Sequence, residues 1–389
     1  MYIASLWGEI NDKGLAEVEK LIGVPLRRSR MQWIETTTKD AIKHFAWGIG
    51  DDNPLWLDPN YAATSSVGSL IAPPCILYAL DSTIIAPKLA GVQWIYAGTD
   101  FVWFDHIKID TTFTVSAKLL SQKIKKGRRF SRWVLQSGKV KYFDGNDQLI
   151  ATAIGHVART PRHQSGNNEK NIEPSIHRYT ADEITNIENQ ILSEKRQGDI
   201  PLFWENVNVG DKIPSVVKGP LTTTDILAWY AASQGALHYG GAHGDVIRYR
   251  QRHADYHLNK ETGAKDSAGR GHLEVGTGND VGMGGAYDIG PQRIAWAQHM
   301  LCNWIGDQGF LHKLSVSVRR PNLVGDTIWW SGSVESKRNL QGLNLVDISL
   351  TAINQRGEES AFGTACVLLP SKQGYKVPLP LSPESANSI

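Results

Sequence analysis

Residues 50–59 read Gly50-Asp51-Asp52-Asn53-Pro54-Leu55-Trp56-Leu57-Asp58-Pro59. Asp and Asn in such positions bond their own backbone, so the stretch reads first as a braced turn. It follows TTTKDAIKHFAWGIGD (36–51), where a Thr cap precedes Ile42, Phe45, Ala46 and Ile49 at the spacing of an amphipathic helix. It precedes LIAPPCILYALDSTII (70–85), where prolines open a long apolar helix at the one place a missing N–H is harmless.

The same order recurs downstream. LTTTDILAWYAASQG (221–235) matches the first helix and YDIGPQRIAWAQHMLCNWI (287–305) matches the second. Strand-like segments follow in both places. Asp110-Thr111 and Asp326-Thr327 lie 216 positions apart, and the turn glycines Gly127 and Gly342 lie 215 apart. A near-constant offset through two different elements marks a duplication. Each copy ends in a hairpin around a glycine turn, KVKYFDGNDQLIATAIGHV (139–157) and VDISLTAINQRGEESAFGTACVLLP (346–370).

Helix, loop, apolar helix and then antiparallel strands predict an α+β fold, a sheet wrapped around one buried helix. Two copies in tandem make a double hotdog. The expected layout is a first hotdog over 1–160, a polar linker with a bridging helix over 161–200, and a second hotdog over 201–375. That second copy carries an insertion at about 245–285, and a tail covers 376–389. Thr180-Ala-Asp-Glu183 has the pattern of a capping box at the bridging helix.

The totals exclude several classes. The chain has 389 residues and a formal net charge of +2, with no global case for a nucleic-acid or membrane partner. The three cysteines, Cys75, Cys302 and Cys366, sit far apart in apolar contexts and read as buried thiols. There is no signal-peptide pattern and no apolar run of membrane-spanning length, so the expectation is a cytoplasmic protein.

The run GDDNPLWLD resembles the loop of the MaoC-like acyl dehydratases and (R)-specific enoyl-CoA hydratases, G-D-x-N-P-L-H-x-D. Ala72-Pro73-Pro74, FWENVNVGDKIP (203–214) and RRPNLVGDT (319–327) carry the resemblance further, over roughly residues 30–160 and 203–370. The first half is similar to the N-terminal dehydratase-type domain found fused to a MaoC-like domain. The resemblance implies a hydro-lyase acting on a 2-enoyl or 3-hydroxyacyl thioester, with coenzyme A entering as part of the substrate and no separate cofactor. It also implies an Asp–His acid–base pair. Asp51 fills the Asp column, but Trp56 stands in the His column.

In the second copy the corresponding loop is SQGALHYGGAHGDVIRYR (233–250). His238 and His243 are five apart, as Asp and His are in the family motif, and with two residues inserted after the helix His238 falls in the Asp column and His243 in the His column. His243 is expected to work either with His238 or Asp245 inside that loop, or across the pseudo-dimer with Asp51. Dehydration also needs a donor for the thioester oxyanion, and helix N-termini present outward N–H groups and partial positive charge. Pro73, Pro74 and Cys75 mark one such end, and Gly290, Pro291 and Arg293 the other. Asn53 and Trp56 are the expected lining of the acyl pocket.

The insertion in the second copy is expected to act as a lid. His253 and His257 within it, four residues apart, lack a third ligand, so no metal is predicted. The basic tip KIKKGRR (123–129) and Arg132, or Arg319 and Arg320, are candidates for the nucleotide end of coenzyme A. The expected partner is therefore an acyl-CoA, taken up by a monomeric pseudo-dimer or by a homodimer of it. Two other readings compete. A hotdog thioesterase would need a carboxylate to activate water, and a non-catalytic acyl-thioester-binding protein would need neither.

Overall fold

The computed structural model describes residues 8–28, 32–127, 131–161, 177–233, 243–252, 256–259, 262–374 and 376–386. The first half runs α1 (Asp12–Glu19), β1 (Pro25–Leu26), α2 (Lys39–Gly48), α3 (Pro54–Leu57) and α4 (Pro59–Thr64). A 3-10 turn at Pro74–Ile76 leads into α5 (Leu77–Leu80), and strands β2 (Gln93–Trp103), β3 (Thr114–Lys125), β4 (Trp133–Phe143) and β5 (Leu149–Thr160) follow. The connector carries α6 (Ala181–Leu192), whose capping box forms as the sequence predicts: Glu183 N–H donates to Thr180 and the Thr180 N–H to Glu183.

The second half opens with β6 (Lys212–Lys218) and α7 (Thr223–Ser233). Its insertion folds as α8 (His243–Arg252), a hairpin of β7 (Tyr256–Leu258) and β8 (Lys265–Ser267), and α9 (Val275–Asp280). Then come α10 (Gly290–Ile305), β9 (Phe310–Val318), β10 (Ile328–Leu340), β11 (Leu343–Asn354), β12 (Glu359–Leu368) and α11 (Pro383–Ala386).

Ten strands form one antiparallel sheet in the order β1-β3-β4-β5-β2-β9-β12-β11-β10-β6. Read from either edge to the middle, the two halves have the same connectivity, which is the double hotdog. They join where β2 pairs β9, from Gly98 opposite Ser317 to Val102 opposite Lys313. The close approach there needs Gly98: its φ is 148°, and a Cβ would sit 2.2 Å from the Val316 carbonyl oxygen.

The two central helices differ, against the expectation of two long ones. α10 has 16 residues and is buried on every face, between the sheet and the first half. Its counterpart stops at Leu80. Asp81 turns extended, accepts a bidentate bond from Arg28 at 2.7 Å on each oxygen, and takes the Thr83 N–H. The β-branched run Thr83-Ile84-Ile85 and then Pro87 disfavour a helix beyond that point. This extended segment lies flat on the sheet, over Gly138 and Gly155, which face each other on β4 and β5. A Cβ on Gly155 would lie 2.0 Å from the Thr83 carbonyl oxygen. Thr83, Lys88 and Leu89 hold left-handed backbone at φ 58°, 60° and 49°, costing about 1–2 kcal/mol each. The buried Arg159 guanidinium offsets this by donating to the carbonyls of Ala86, Leu89 and Val92 at 2.9, 2.6 and 3.2 Å.

On the other side of the core, α2 packs on α7. Gly48 permits the contact, since a Cβ there would be 2.4 Å from the Ala232 methyl. Trp229 sits edge-on between Phe45 and Tyr78, with ring centroids 5.8 and 6.0 Å away. No helix among the described residues is long and apolar enough to cross a membrane.

Gly155→Ala is expected to lower the unfolding free energy by about 1–3 kcal/mol through overpacking. Urea denaturation checks this; an unchanged midpoint would mean that the Thr83 segment can lift off the sheet without loss.

Candidate functional site

The loop of residues 50–59 is two capped turns placed end to end. The Asn53 side chain accepts the Leu55 N–H at 2.9 Å and opens α3, with Pro54 at its first position. The Asp58 side chain accepts the Asn60 N–H at 2.9 Å and opens α4 ahead of Pro59. Asp51 is 1% exposed. One of its oxygens accepts the Asn53 N–H at 3.1 Å, and the other accepts the indole N–H of Trp56 at 3.0 Å. In the His column, Trp56 thus supplies a ring N–H to the aspartate and no basic nitrogen.

The imidazole near Asp51 comes from the other half. His299, two-thirds of the way along α10, places Nε2 3.7 Å from Asp51 Oδ1 and 2.8 Å from Glu194 Oε1. The shorter contact lacks the alignment of a hydrogen bond, and Nε2 is left without one. His299 Nδ1 lies 2.9 Å from Lys218 Nζ, which also donates to the Gly50 carbonyl at 2.8 Å. The ammonium has no lone pair, so Nδ1 accepts and the ring proton sits on Nε2, facing the two carboxylates. Asn303, one turn on from His299, donates to Glu194 at 2.6 Å and accepts from Arg196 at 3.1 Å. Arg196 in turn pairs with Asp52.

The electrostatics of this cluster follow from burial and pairing. Burial pushes the Glu194 carboxyl up, but His299, Lys218 and Asn303 outweigh it and hold it down at about 2. Burial pulls the Lys218 ammonium below its usual range, against the opposing pull of Glu194, Asp51, Asp52 and Asp225.

Next to this cluster lies a narrow apolar cleft. Asn53, Leu55 and Trp56 form one wall, Ile71, Ala72 and Pro74 another, and the end of β2 with Asp105, His106 and Ile107 a third. Cys302, Ile305, Asp307 and Phe310 close it from the second half. Asp51 and His299 do not line it; Trp56, which does, donates to Asp51.

The expected site residues separate into two groups. Asp51, Asn53, Trp56, Pro73, Pro74 and Cys75 gather at this end of the molecule. The Cys75 N–H points to Gln298 Oε1 at 3.4 Å, and burial raises the Cys75 thiol well above its usual range. The helical run there spans only Pro74–Leu80, too short to build a sizeable dipole. Gly290 and Pro291 start α10 while the cleft meets it at Cys302. At 1.5 Å per residue that is about 18 Å away. Gly290 lies against the Tyr96 ring instead. Arg293 is buried and committed to Asp288 and to the carbonyls of Arg320 and Ser360. His243 begins α8; its side chain lies outside the described residues, as does all of His238. Arg128 and Arg129 of the basic tip and His253 also lie outside them. Arg319 stacks over Phe362 and Arg320 pairs with Glu358. Among the described residues, none from the insertion lines the cleft. Among the described residues no group of three His, Cys, Asp or Glu is placed to hold a metal.

Sequence reading missed Glu194, Lys218 and His299, and also His106 and Asp307. His299 left a signal: with Asn303 it forms an i, i+4 polar pair in a helix that reads as a buried one. Glu194 left none, because it lies in a stretch that composition marks as a spacer.

Residues 22–153 match the family model described as the FAS1-like dehydratase domain region. Over that span the first half is similar to a dehydratase-type domain. Among solved structures, one described as a MaoC-like dehydratase aligns with TM-score 0.60 and 13% identity, over 91% of this chain and 100% of that one. A putative MaoC domain protein dehydratase from Chloroflexus aurantiacus aligns with TM-score 0.54 and 12% identity, over 87% and 93%. The full-length peroxisomal multifunctional enzyme type 2 of Drosophila melanogaster aligns with TM-score 0.50 and 11% identity, over 95% of this chain and 52% of that one. At such identities these likenesses establish the fold. No curated protein matches the sequence.

The folded-state value of Glu194, about 2, lies below its ordinary 4.5. Its contribution is thus full above pH 4.5 and lost as the pH falls toward 2. Glu194→Gln is expected to cost up to about 3 kcal/mol near neutral pH, with the gap to the parent protein narrowing below pH 4.5. Urea titrations at several pH values measure it; a gap independent of pH would mean that Glu194 is not held as a carboxylate by His299.

Proposed function

We propose that the chain is a hydro-lyase that adds water to, or removes it from, a 2-enoyl or 3-hydroxyacyl thioester of coenzyme A or a carrier protein. The observation that carries this reading is the cleft. The dehydratase-type half supplies most of its walls, the second half closes it, and its apolar lining is broken by a few polar groups, as in a ligand site. The acyl group lies against Leu55, Ile71, Ile305 and Phe310, with Asn53 and Trp56 at one wall. Asp51, bonded by Trp56 and Asn53, acts as a brace for that wall. Both hotdogs belong to one chain, so a monomer suffices to form the cleft, and no cofactor beyond the thioester is invoked.

A second reading has one observation behind it. The motif Asp is bonded and sealed, which also suits an acyl-thioester-binding protein without catalysis.

The test offers short, branched and bulky 2-enoyl-CoA and 3-hydroxyacyl-CoA compounds and follows products by mass. Gain or loss of one water is expected. Release of free coenzyme A would make the protein a thioesterase, and binding without turnover would favour the second reading. Ile305→Trp, which fills the cleft, is expected to raise KM for the bulkier acyl groups by about tenfold or more. An unchanged KM would place the acyl group elsewhere. His243→Ala and His238→Ala in the same assay weigh the second loop.

A further inference from the structure

Charge builds on a thioester oxygen while water is added across C2 and C3 or removed, and a fixed donor facing that oxygen lowers the barrier. The proline-opened turn at 72–76 offers none. Pro73 and Pro74 have no N–H. The N–H groups of Ala72 and Ile76 donate to the carbonyls of Ile107 and Pro73 at 2.7 and 2.9 Å. The Cys75 N–H points to Gln298. Side-chain donors remain.

Four side chains that carry nitrogen donors line the cleft: Asn53, Trp56, Trp103 and His106. Both indoles are committed, Trp56 to Asp51 at 3.0 Å and Trp103 to the Pro74 carbonyl at 3.1 Å. Asn53 differs. Its backbone N–H donates to Asp51 at 3.1 Å, its carbonyl accepts from the Trp56 N–H at 3.0 Å, and its Oδ1 accepts the Leu55 N–H at 2.9 Å. Of its polar atoms only Nδ2 has no partner among the described residues. The Leu55 N–H needs an acceptor, which fixes Oδ1 on that side and turns the NH2 group away from it. Nor is Nδ2 a sealed orphan of the core, as Asp307 Oδ1 is. Its two N–H groups meet the cleft.

We infer that Asn53 Nδ2 is the hydrogen-bond donor to the carbonyl oxygen of the bound thioester, a role that rests on the hydro-lyase reading above. A carboxamide nitrogen has two donors and no acceptor, so Asn53 neither takes nor gives up a proton. It serves the oxygen alone, at a distance of about 2.7–3.1 Å.

The surroundings hold this donor still. Asn53 is 2% exposed and is followed by Pro54, whose ring fixes the backbone of the next turn. One Asp51 oxygen holds the Asn53 backbone and the other holds the Trp56 indole beside it. Asp51 is then a positioning residue, which acts on the cleft through its two neighbours. A donor oriented before the substrate arrives needs no reorganisation when charge appears. His106 is the rival. Its ring packs edge-on against Phe310, centroids 5.3 Å apart, and among the described residues no hydrogen bond fixes either ring nitrogen.

The test uses the full chain, with crotonyl-CoA for turnover and 2,4-hexadienoyl-CoA for absorbance, since a donor on the carbonyl moves the band of a conjugated thioester to the red. Ser and Asp cap a helix about as well as Asn. Asn53→Ser and Asn53→Asp therefore remove the donor and keep the turn, and thermal melts confirm that they fold. Each is expected to lower kcat by about 10²–10³-fold, to leave the shape of the pH profile unchanged and to abolish the red shift. Wild-type kcat and red shift in Asn53→Ser, with both lost in His106→Phe, would give the role to His106 and overturn the proposal while the hydro-lyase reading stands. A wild-type protein that shows the Asn53-dependent red shift but never hydrates either probe would keep the donor and overturn the hydro-lyase reading. Absence of both shift and hydration in the wild type would overturn both. Should the Ser variant fail to fold, the Asp variant carries the same expectation.

Discussion

Five residue pairs between β2 and β9 hold the molecule together as one body. Without this seam there would be two half-sheets, each with a long strand edge open to any other chain. With it, the strands that end at the seam fix what lies beyond. β2 runs out through Trp103 into Asp105, His106 and Ile107, and β9 begins at Phe310. His312 Nδ1 locks against the Trp103 carbonyl at 2.9 Å across the two strands. The cleft is therefore positioned by sheet registry, a rigid device, and the loops that line it inherit that rigidity.

The second constraint is electrical. Asp51, Glu194, Lys218 and His299 come from the first half, the connector, the outer strand of the second half and its central helix. Asp51 is bonded within its own loop, but Glu194, Lys218 and His299 find their partners outside their own elements. Burying two carboxylates is tolerable only beside the imidazole and the ammonium, so each half carries charges that make sense only when the other is docked. The connector takes part directly: α6 ends where Glu194 and Arg196 must enter the junction. It fastens the halves as well as spanning them.

Much of the fold was legible in the sequence. The offset between Asp110 and Asp326, the paired Pro-opened segments and the glycine hairpins define two copies of one architecture, because strand order and buried helices leave periodic marks. The early end of α5 was not legible. LIAPPCILYALDSTII is apolar whether helical or extended, and what stops the helix is remote: Arg28 drawing Asp81 aside, Gly138 and Gly155 opening the sheet, Arg159 gathering carbonyls. The site divides the same way. Clustering of Asp51, Asn53 and Trp56 follows from a ten-residue loop. The partner imidazole, 248 positions away at His299, and the cleft groups His106 and Asp307 depend on packing between halves that no local pattern encodes.

The unequal central helices have a consequence for how such a chain can change. In a dimer of identical subunits every substitution appears twice, at two symmetric places, and both must tolerate it. Here one copy keeps a 16-residue helix and the other gives way after Leu80. The two halves are no longer interchangeable, so a residue altered in one has no echo in the other. Each position drifts on its own account, and the loop of Asp51 and Trp56 can change without its counterpart in the second half.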